Sequence, residues 1–154
     1  MNKRLCLLAL IILSISLASA QTAMTFVHPG AVTGQADLDF VKAKIAAGEQ
    51  PWLNAFNQMK SWARGGTAPK EYINSSDNNV AGPARDDTWK AYANALAWYF
   101  TDNEMYAERA ITMLNEWTIF QGFNAGNDQD KLQAGLMGAI FGRAAEIMRD
   151  YPGW

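Results

Sequence analysis

The chain has 154 residues, of which 49% are hydrophobic and 12% aromatic, and its formal net charge is −2. This length suits one domain at most, and the apolar content excludes a disordered chain. The slightly acidic balance is unlike that of a nucleic-acid-binding protein, so we expect no nucleic-acid partner. Six tryptophans are many for this length. They can fill a core or form flat platforms on which sugar rings stack.

The first twenty residues have the pattern of a secretory signal peptide. Lys3 and Arg4 precede an uncharged apolar run over residues 5–17, and small residues follow up to Ala20. The pattern predicts cleavage after Ala20 and a secreted protein, either periplasmic or extracellular. A membrane anchor is the alternative, but the run is shorter than the ~20 residues that span a bilayer, so we expect no membrane attachment after cleavage. Cleavage lowers the net charge to −4 and removes Cys6, which excludes a disulfide or a cysteine-based metal site in the mature chain.

The predicted elements begin with an extended segment over residues 21–35, which contains a Pro-Gly turn. Helical spacing of apolar residues then predicts a helix over 36–47 that ends at Gly48. A second helix is predicted from Pro51 until the two glycines at 65–66. Its apolar face consists of Trp52, Phe56, Met59 and Ala63.

Residues 64–85 are rich in Gly, Pro, Asn and Ser and show no helical or strand period. A loop of this length inside a compact domain is usually functional or disordered, so a lid and a plain flexible connection are both open interpretations. Asp86 and Asp87 are predicted to cap the helix that follows, because short carboxylates accept hydrogen bonds from exposed N–H groups. The predicted apolar stripe of that helix is Trp89, Tyr92 or Ala93, Leu96, and Tyr99 or Phe100.

A tight turn at 101–103 joins this helix to a fourth helix, and the two are predicted to form an antiparallel hairpin. The stripe of the fourth helix is Tyr106, Ala110, Met113 or Leu114, and Trp117. A polar loop over 121–130 separates it from a fifth helix. The stripe of the fifth helix is Leu132, Leu136, Ile140, Ala144 and Ile147.

Three glycines leave one strip of the fifth helix nearly bare: Gly135, Gly138 and Gly142. Each glycine costs about 1 kcal/mol of helix stability relative to alanine. Close approach of another helix would offset this cost and is the interpretation we favour. The alternative is a helix that is simply weaker.

The sequence contains no Gly-rich phosphate loop, zinc motif or nucleophile elbow, so we expect no cofactor and no metal. The single histidine, His28, precedes a Pro-Gly pair and is interpreted as a turn or capping residue rather than a catalyst. Asp86 with Asp87, and Asp128 with Asp130, are carboxylate pairs of the kind that glycosidases use. Helix capping already accounts for both pairs and is the preferred interpretation.

Several short pieces of the sequence, taken in order, resemble the alginate lyase family. The pieces are VHPG (27–30), AGEQPW (47–52), ALAWY (95–99), YA (106–107), LNEW (114–117), GND (126–128), QAG (133–135), AAEI (144–147) and YPGW (151–154). The resemblance covers residues 26–154 and implies an all-α fold, an incomplete α/α toroid built of antiparallel helical hairpins. It also implies β-elimination on an alginate-like polysaccharide that contains uronate. We therefore divide the chain into a signal peptide (1–20) and the N-terminal part of a toroid domain (21–154).

Members of this family use an Asn-His pair, an Arg and a Tyr for catalysis. The sequence contains no Asn-His dipeptide, so we assign no catalytic residue and expect an N-terminal fragment that is inactive alone. The length of the chain agrees with a fragment, because a closed ring of about 12 helices needs on the order of 200 residues or more. The open end of such a fragment is expected to expose an apolar face and to favour self-association.

The resemblance suggests an acidic polysaccharide as the partner, and seven residues as candidates for binding it. They are three cations of the first loop, two aromatic residues after it and two polar residues of the second loop: Arg64, Lys70, Arg85, Trp89, Tyr92, Asn127 and Asp128. The cations would pair with uronate carboxylates, and the helix start at 127–128 presents outward N–H groups. Two alternatives stay open, a non-catalytic helical module that binds carbohydrate or protein and a glycoside hydrolase on the same toroid.

Overall fold

The computed structural model describes residues 26–154, so the predicted signal peptide lies outside the described residues. The described chain contains five α-helices: α1 (Gln35–Ala46), α2 (Trp52–Met59), α3 (Asn78–Thr101), α4 (Glu104–Glu116) and α5 (Asp128–Met148). A 3₁₀ turn, Trp117–Ile119, follows α4, and two short strands, β1 (Tyr72–Ile73) and β2 (Gly122–Phe123), pair in parallel. The predicted all-α fold class is confirmed. Among the described helices, none combines the length and the apolar character needed to cross a membrane.

The centre of the fold is α3, which packs against α1, α4 and α5. Its buried side is built largely from alanines, which are short enough to let the neighbouring helices approach closely. Those with at most 2% exposure are Ala81, Ala84, Ala91, Ala95 and Ala97. These alanines belong to all three clusters of buried apolar residues in the described chain, so the core is organised around this one helix.

The three long helices alternate in direction. The start of α3 shares a cluster with Met137 near the start of α5, while Ala91 and Ala95 share one with Ala144 further along α5. These pairings show that α3 and α5 run parallel. The helix between them in sequence, α4, runs in the opposite direction. This alternation suits a row of helical hairpins, and the incomplete toroid stays a prediction.

The hairpin turn between α3 and α4 has the predicted position. Asp102 ends α3 with φ of 55°, a left-handed conformation in which Asp and Asn are tolerated. Asn103 then caps α4, because its side chain accepts a hydrogen bond from the N–H of Met105. Two short polar residues in sequence are thus enough to reverse the chain.

The prediction of a continuous loop over 64–85 is wrong in its last third. The helix α3 already begins at Asn78, where Asp77 caps it by accepting from the N–H of Asn79 at 2.9 Å. Asp86 and Asp87 therefore lie inside α3 and are not its caps. Gly82 and Pro83 disfavour a helix locally, but the burial of the alanines on either side of them outweighs that preference.

The predicted stripe of α5 and the interpretation of its glycines also need correction. Ile140, Ala144 and Ile147 are buried as the predicted stripe requires, but Leu132 and Leu136 are 52% and 45% exposed. In the first half of the helix the buried residues are instead Gln133 and Met137, one position further on. A Cβ added at any of Gly135, Gly138 or Gly142 would meet nothing within 4 Å in the described chain. The glycine strip therefore makes no close helix contact within residues 26–154.

Candidate functional site

A groove of about 350 Å³ lies between α3 and the chain that leaves α2. Its lining consists of Met59, Trp62, Trp89, Tyr92, Ala93 and Leu96. Four of these residues are spaced three, four and seven apart along α3 and so occupy one face of that helix. The remaining wall comes from the end of α2 and the turn after it. The groove is therefore apolar and largely aromatic.

Two indole rings of the groove are strongly exposed. Trp62 is 40% exposed and Trp89 is 46% exposed, while Tyr92 is half-buried. Of the predicted apolar stripe of this helix, Tyr92, Leu96, Tyr99 and Phe100 pack against the core, whereas Trp89 at its start is exposed. Exposed indoles grouped on one surface are costly to leave in water and are typical of a binding site.

One arginine side chain borders this aromatic surface. The guanidinium carbon of Arg64 lies 5.5 Å from the ring centre of Trp62, which is a cation–π geometry, and the edge of a guanidinium can donate hydrogen bonds to an anion. Arg85 lies one helical turn before Trp89, but its guanidinium lies beside Gly82, further toward the start of α3. Burial raises the pKa of the Tyr92 phenol, and the positive charge of Arg143 on α5 partly offsets this rise.

Of the predicted residues, Trp89 and Tyr92 line the groove, and Arg64 stacks on Trp62, which also lines it. Trp62 was missed by the sequence reasoning. It lies in a stretch that the sequence predicts as helix, whereas α2 ends at Met59, so its exposed position near Trp89 depends on the turn after α2.

The other predicted residues lie outside the groove lining. Lys70 is exposed in the segment before β1. Asn127 caps α5 and donates a hydrogen bond to the hydroxyl of Ser76 at 3.0 Å. Asp128 is almost fully exposed and pairs with Lys131 at 2.9 Å. Their contacts are those of a helix start and a solvated surface.

A buried carboxylate holds the chain that leaves α2 against α3. One oxygen of Asp87 accepts from the hydroxyl of Thr67 at 2.7 Å, from the N–H of Ala68 at 2.8 Å and from the indole N–H of Trp117 at 3.1 Å. The other oxygen accepts from Lys90 at 2.8 Å. Burial by itself raises the pKa of Asp87, but these hydrogen bonds outweigh it and hold the pKa below its ordinary value. This contact fixes the segment that forms one wall of the groove.

A second cavity, of about 460 Å³, lies where α5 meets the 3₁₀ turn and β2. Four aromatic residues contribute to its lining: Trp117, Phe120, Phe123 and Phe141. None of the predicted site residues lines it. Its acidic residue, Asp130, is engaged by the hydroxyl of Ser75 at 2.5 Å and by the N–H of Gly126 at 2.7 Å. We therefore take the groove on α3 as the candidate site.

Within residues 26–154 there is no group of three or more His, Cys, Asp or Glu side chains that could hold a metal ion. The ring of His28 is hydrogen-bonded to Glu146, which also accepts from the N–H of Gly30 at 3.2 Å. These contacts tie the segment before α1 to α5. They give His28 a structural contact beyond the turn role that its sequence context predicts.

Helices that alternate in direction, and a groove with two exposed indoles, one of which has a guanidinium stacked on it, characterise this all-helical protein. The family model described as alginate lyase matches residues 31–150. The chain belongs to the alginate lyase family, which places it among the polysaccharide lyases and confirms the resemblance seen in the sequence. A search of curated proteins and a search of solved structures found no significant match.

Proposed function

We propose that this chain binds an alginate-like polysaccharide in the groove on α3, as the substrate-binding part of a lyase that cleaves uronate chains by β-elimination. The observation that supports this most directly is the pair of exposed indoles, Trp62 and Trp89, with the guanidinium of Arg64 stacked on the first. The family supports a polysaccharide as the substrate. The uronate and the mode of binding are our inference from the chemistry of the groove.

A uronate ring matches the groove in two ways. Its C–H faces are apolar and can lie flat on an indole, as sugar rings do on aromatic side chains. Its carboxylate projects from the ring edge and can accept two parallel hydrogen bonds from a guanidinium such as that of Arg64. A neutral sugar would gain only the first contact, so Arg64 favours an acidic polymer.

The guanidinium of Arg64 also suits the first step of β-elimination, in which the substrate carboxylate must be neutralised. Hydrogen bonds to the substrate carboxylate spread its negative charge and make the neighbouring C–H more acidic. A base then removes that proton, a double bond forms, and an acid protonates the departing glycosidic oxygen. Arg64 is our candidate for the contact with the carboxylate, because its guanidinium stacks on a groove residue.

We assign binding, and not proton transfer, to these residues. The sequence has no Asn-His dipeptide, and its one histidine is hydrogen-bonded to Glu146. This chain is therefore expected to bind oligouronates without producing the unsaturated sugar that β-elimination leaves.

Titration of the purified protein with defined oligouronates, followed by tryptophan fluorescence, tests this proposal. Replacing Trp89 with Ala removes an aromatic platform and is expected to weaken binding at least about tenfold. Trp154→Ala is the matched control, because Trp154 is 42% exposed but does not line the groove. The Arg64→Ala variant is expected to bind more weakly and with a smaller dependence on salt.

Each outcome has a distinct meaning. Absence of binding, or equal losses in the Trp89 and Trp154 variants, would overturn the proposed site. Equal binding of neutral cello-oligosaccharides would instead favour a general carbohydrate-binding module. Ultraviolet absorbance from an unsaturated product, with the unmodified protein alone, would overturn the assignment of binding without cleavage.

A further inference from the structure

Beside the face that lines the groove, α3 carries a second, polar face that is buried. Asn94 lies on it and is fully buried. Its side-chain N–H₂ donates to the main-chain carbonyl of Arg64 at 3.0 Å and to that of Lys90, one turn earlier in α3, at 2.9 Å. Asn94 is thus a direct link between the core helix and the residue that stacks on Trp62.

The side-chain carbonyl oxygen of Asn94 is buried without a hydrogen-bond partner among the described residues. A buried oxygen in this state loses its hydration and gains nothing in return, which costs stability. An apolar side chain of the same size would fill the position without that cost. Core packing alone therefore does not account for an asparagine here.

The polar face holds the whole segment that leaves α2. Asp87 engages Thr67 and Ala68, and Lys90 donates to the carbonyl of Gly66 at 3.2 Å. From the far side, Arg109 of α4 donates to the carbonyl of Ala63 at 3.2 Å. These contacts act on the neighbours of Arg64. Only Asn94, among the side chains of α3 that contact this segment, bonds to Arg64 itself.

We propose that Asn94 is a positioning residue for ligand binding. It holds the main chain of Arg64 so that the guanidinium stays stacked on Trp62, which lines the groove. Without this hydrogen bond, Arg64 would sample other directions, and the ligand would have to order it on binding at an entropic cost. This inference rests on the proposed function, because it concerns the affinity of the same groove for an oligouronate.

The test compares Asn94→Ala with Gln133→Ala by measuring affinity for one defined oligouronate. Gln133 is a matched control, since it is also buried, its side-chain oxygen also lacks a partner, and it lies on α5 outside the groove lining. The Asn94 variant is expected to bind about fivefold more weakly, as for the loss of one ordering hydrogen bond, and the Gln133 variant to bind unchanged.

A double-mutant cycle separates positioning from a general loss of structure. In an Arg64→Ala background, Asn94→Ala is expected to cause no further loss of affinity, because the residue through which it acts is gone. Amide hydrogen exchange tests the positioning role in the absence of ligand. Residues 62–68 should exchange faster in the Asn94 variant than in the Gln133 variant, whose overall stability is expected to fall by a similar amount.

The inference is overturned if the unmodified protein binds the oligouronate but the two variants bind it equally, or if the loss persists in the Arg64→Ala background. That result would leave the proposed function standing. If the unmodified protein does not bind the oligouronate at all, both the proposed function and the positioning role are overturned.

Discussion

Replacing Asp87 with Asn is expected to destabilise the fold strongly. The carboxylate is 1% exposed and accepts four hydrogen bonds, from Thr67, Ala68, Trp117 and Lys90. An amide of the same shape keeps one acceptor oxygen, places an N–H₂ group against donors and leaves the Lys90 ammonium without its counter-charge. Breaking a buried pair in this way costs about 3–5 kcal/mol. Because Lys90 retains some contact with solvent, we expect about 3 kcal/mol, out of a total of about 5–15 for a domain.

Urea unfolding at neutral pH, followed by circular dichroism, measures this loss. Asp102→Asn is the matched control. It also removes a carboxylate that pairs with a lysine, Lys42, but Asp102 is 74% exposed and not buried. Asn also tolerates the left-handed φ of 55° at that position. The control is expected to change stability by at most about 0.5 kcal/mol. If the Asp87 variant loses no more than the control, the buried carboxylate does not hold the segment after α2.

The pH dependence provides a second check on Asp87. Its pKa in the folded protein lies below the ordinary value of 3.8, so its ionised form stabilises the fold above that value. This contribution is lost as the pH falls through the lower folded pKa. The stability difference between the unmodified protein and the Asn variant should therefore be constant near neutral pH and shrink below about pH 4. A difference that stays unchanged in acid would contradict this account.

Three further predictions concern α5 and the segment it holds. Gly138→Ala should raise the free energy of unfolding by up to about 1 kcal/mol, because the added methyl meets open space in a helix interior; a loss would show a neighbour at this strip. Leu136→Lys should lower self-association in analytical ultracentrifugation, because Leu136 is an exposed apolar side chain, and should change the free energy of unfolding by at most about 0.5 kcal/mol. Unchanged self-association would show that the associating surface lies elsewhere. Glu146→Gln should speed proteolysis before α1, since it weakens the contacts with His28 and Gly30. The hydrogen bond from His28 lowers the pKa of Glu146, so the difference between variant and unmodified protein should disappear in acid.

The features predicted correctly are those that short stretches of sequence encode. The turn between α3 and α4 depends on Asp102 and Asn103, two adjacent residues whose side chains favour a reversal and a cap. The alginate lyase family was identified from the order of short pieces along the chain, and the family match confirms it. Of the candidate binding residues that the resemblance suggests, Trp89 and Tyr92 line the groove and Arg64 stacks on Trp62, and their role in binding stays a prediction.

The features predicted wrongly depend on what packs against each helix. The start of α3 at Asn78 runs through Gly82 and Pro83, and only the burial of the adjacent alanines stabilises a helix there. Leu132 is exposed because a different face of α5 packs against α3. The spacing of apolar residues did not identify that face, because two faces of α5 carry apolar residues.

By itself, the sequence determined the helical class, the position of the hairpin turn and the family, since these depend on neighbouring residues and on their order. Only the tertiary structure decided that Asp87 is a buried anchor and not a helix cap, and that Trp62 faces Trp89 across a groove. The physical reason is that these roles need partners from distant parts of the chain. A carboxylate, an amide or an indole has the same local signature whether it caps, anchors or binds, and its partners settle which of these it does.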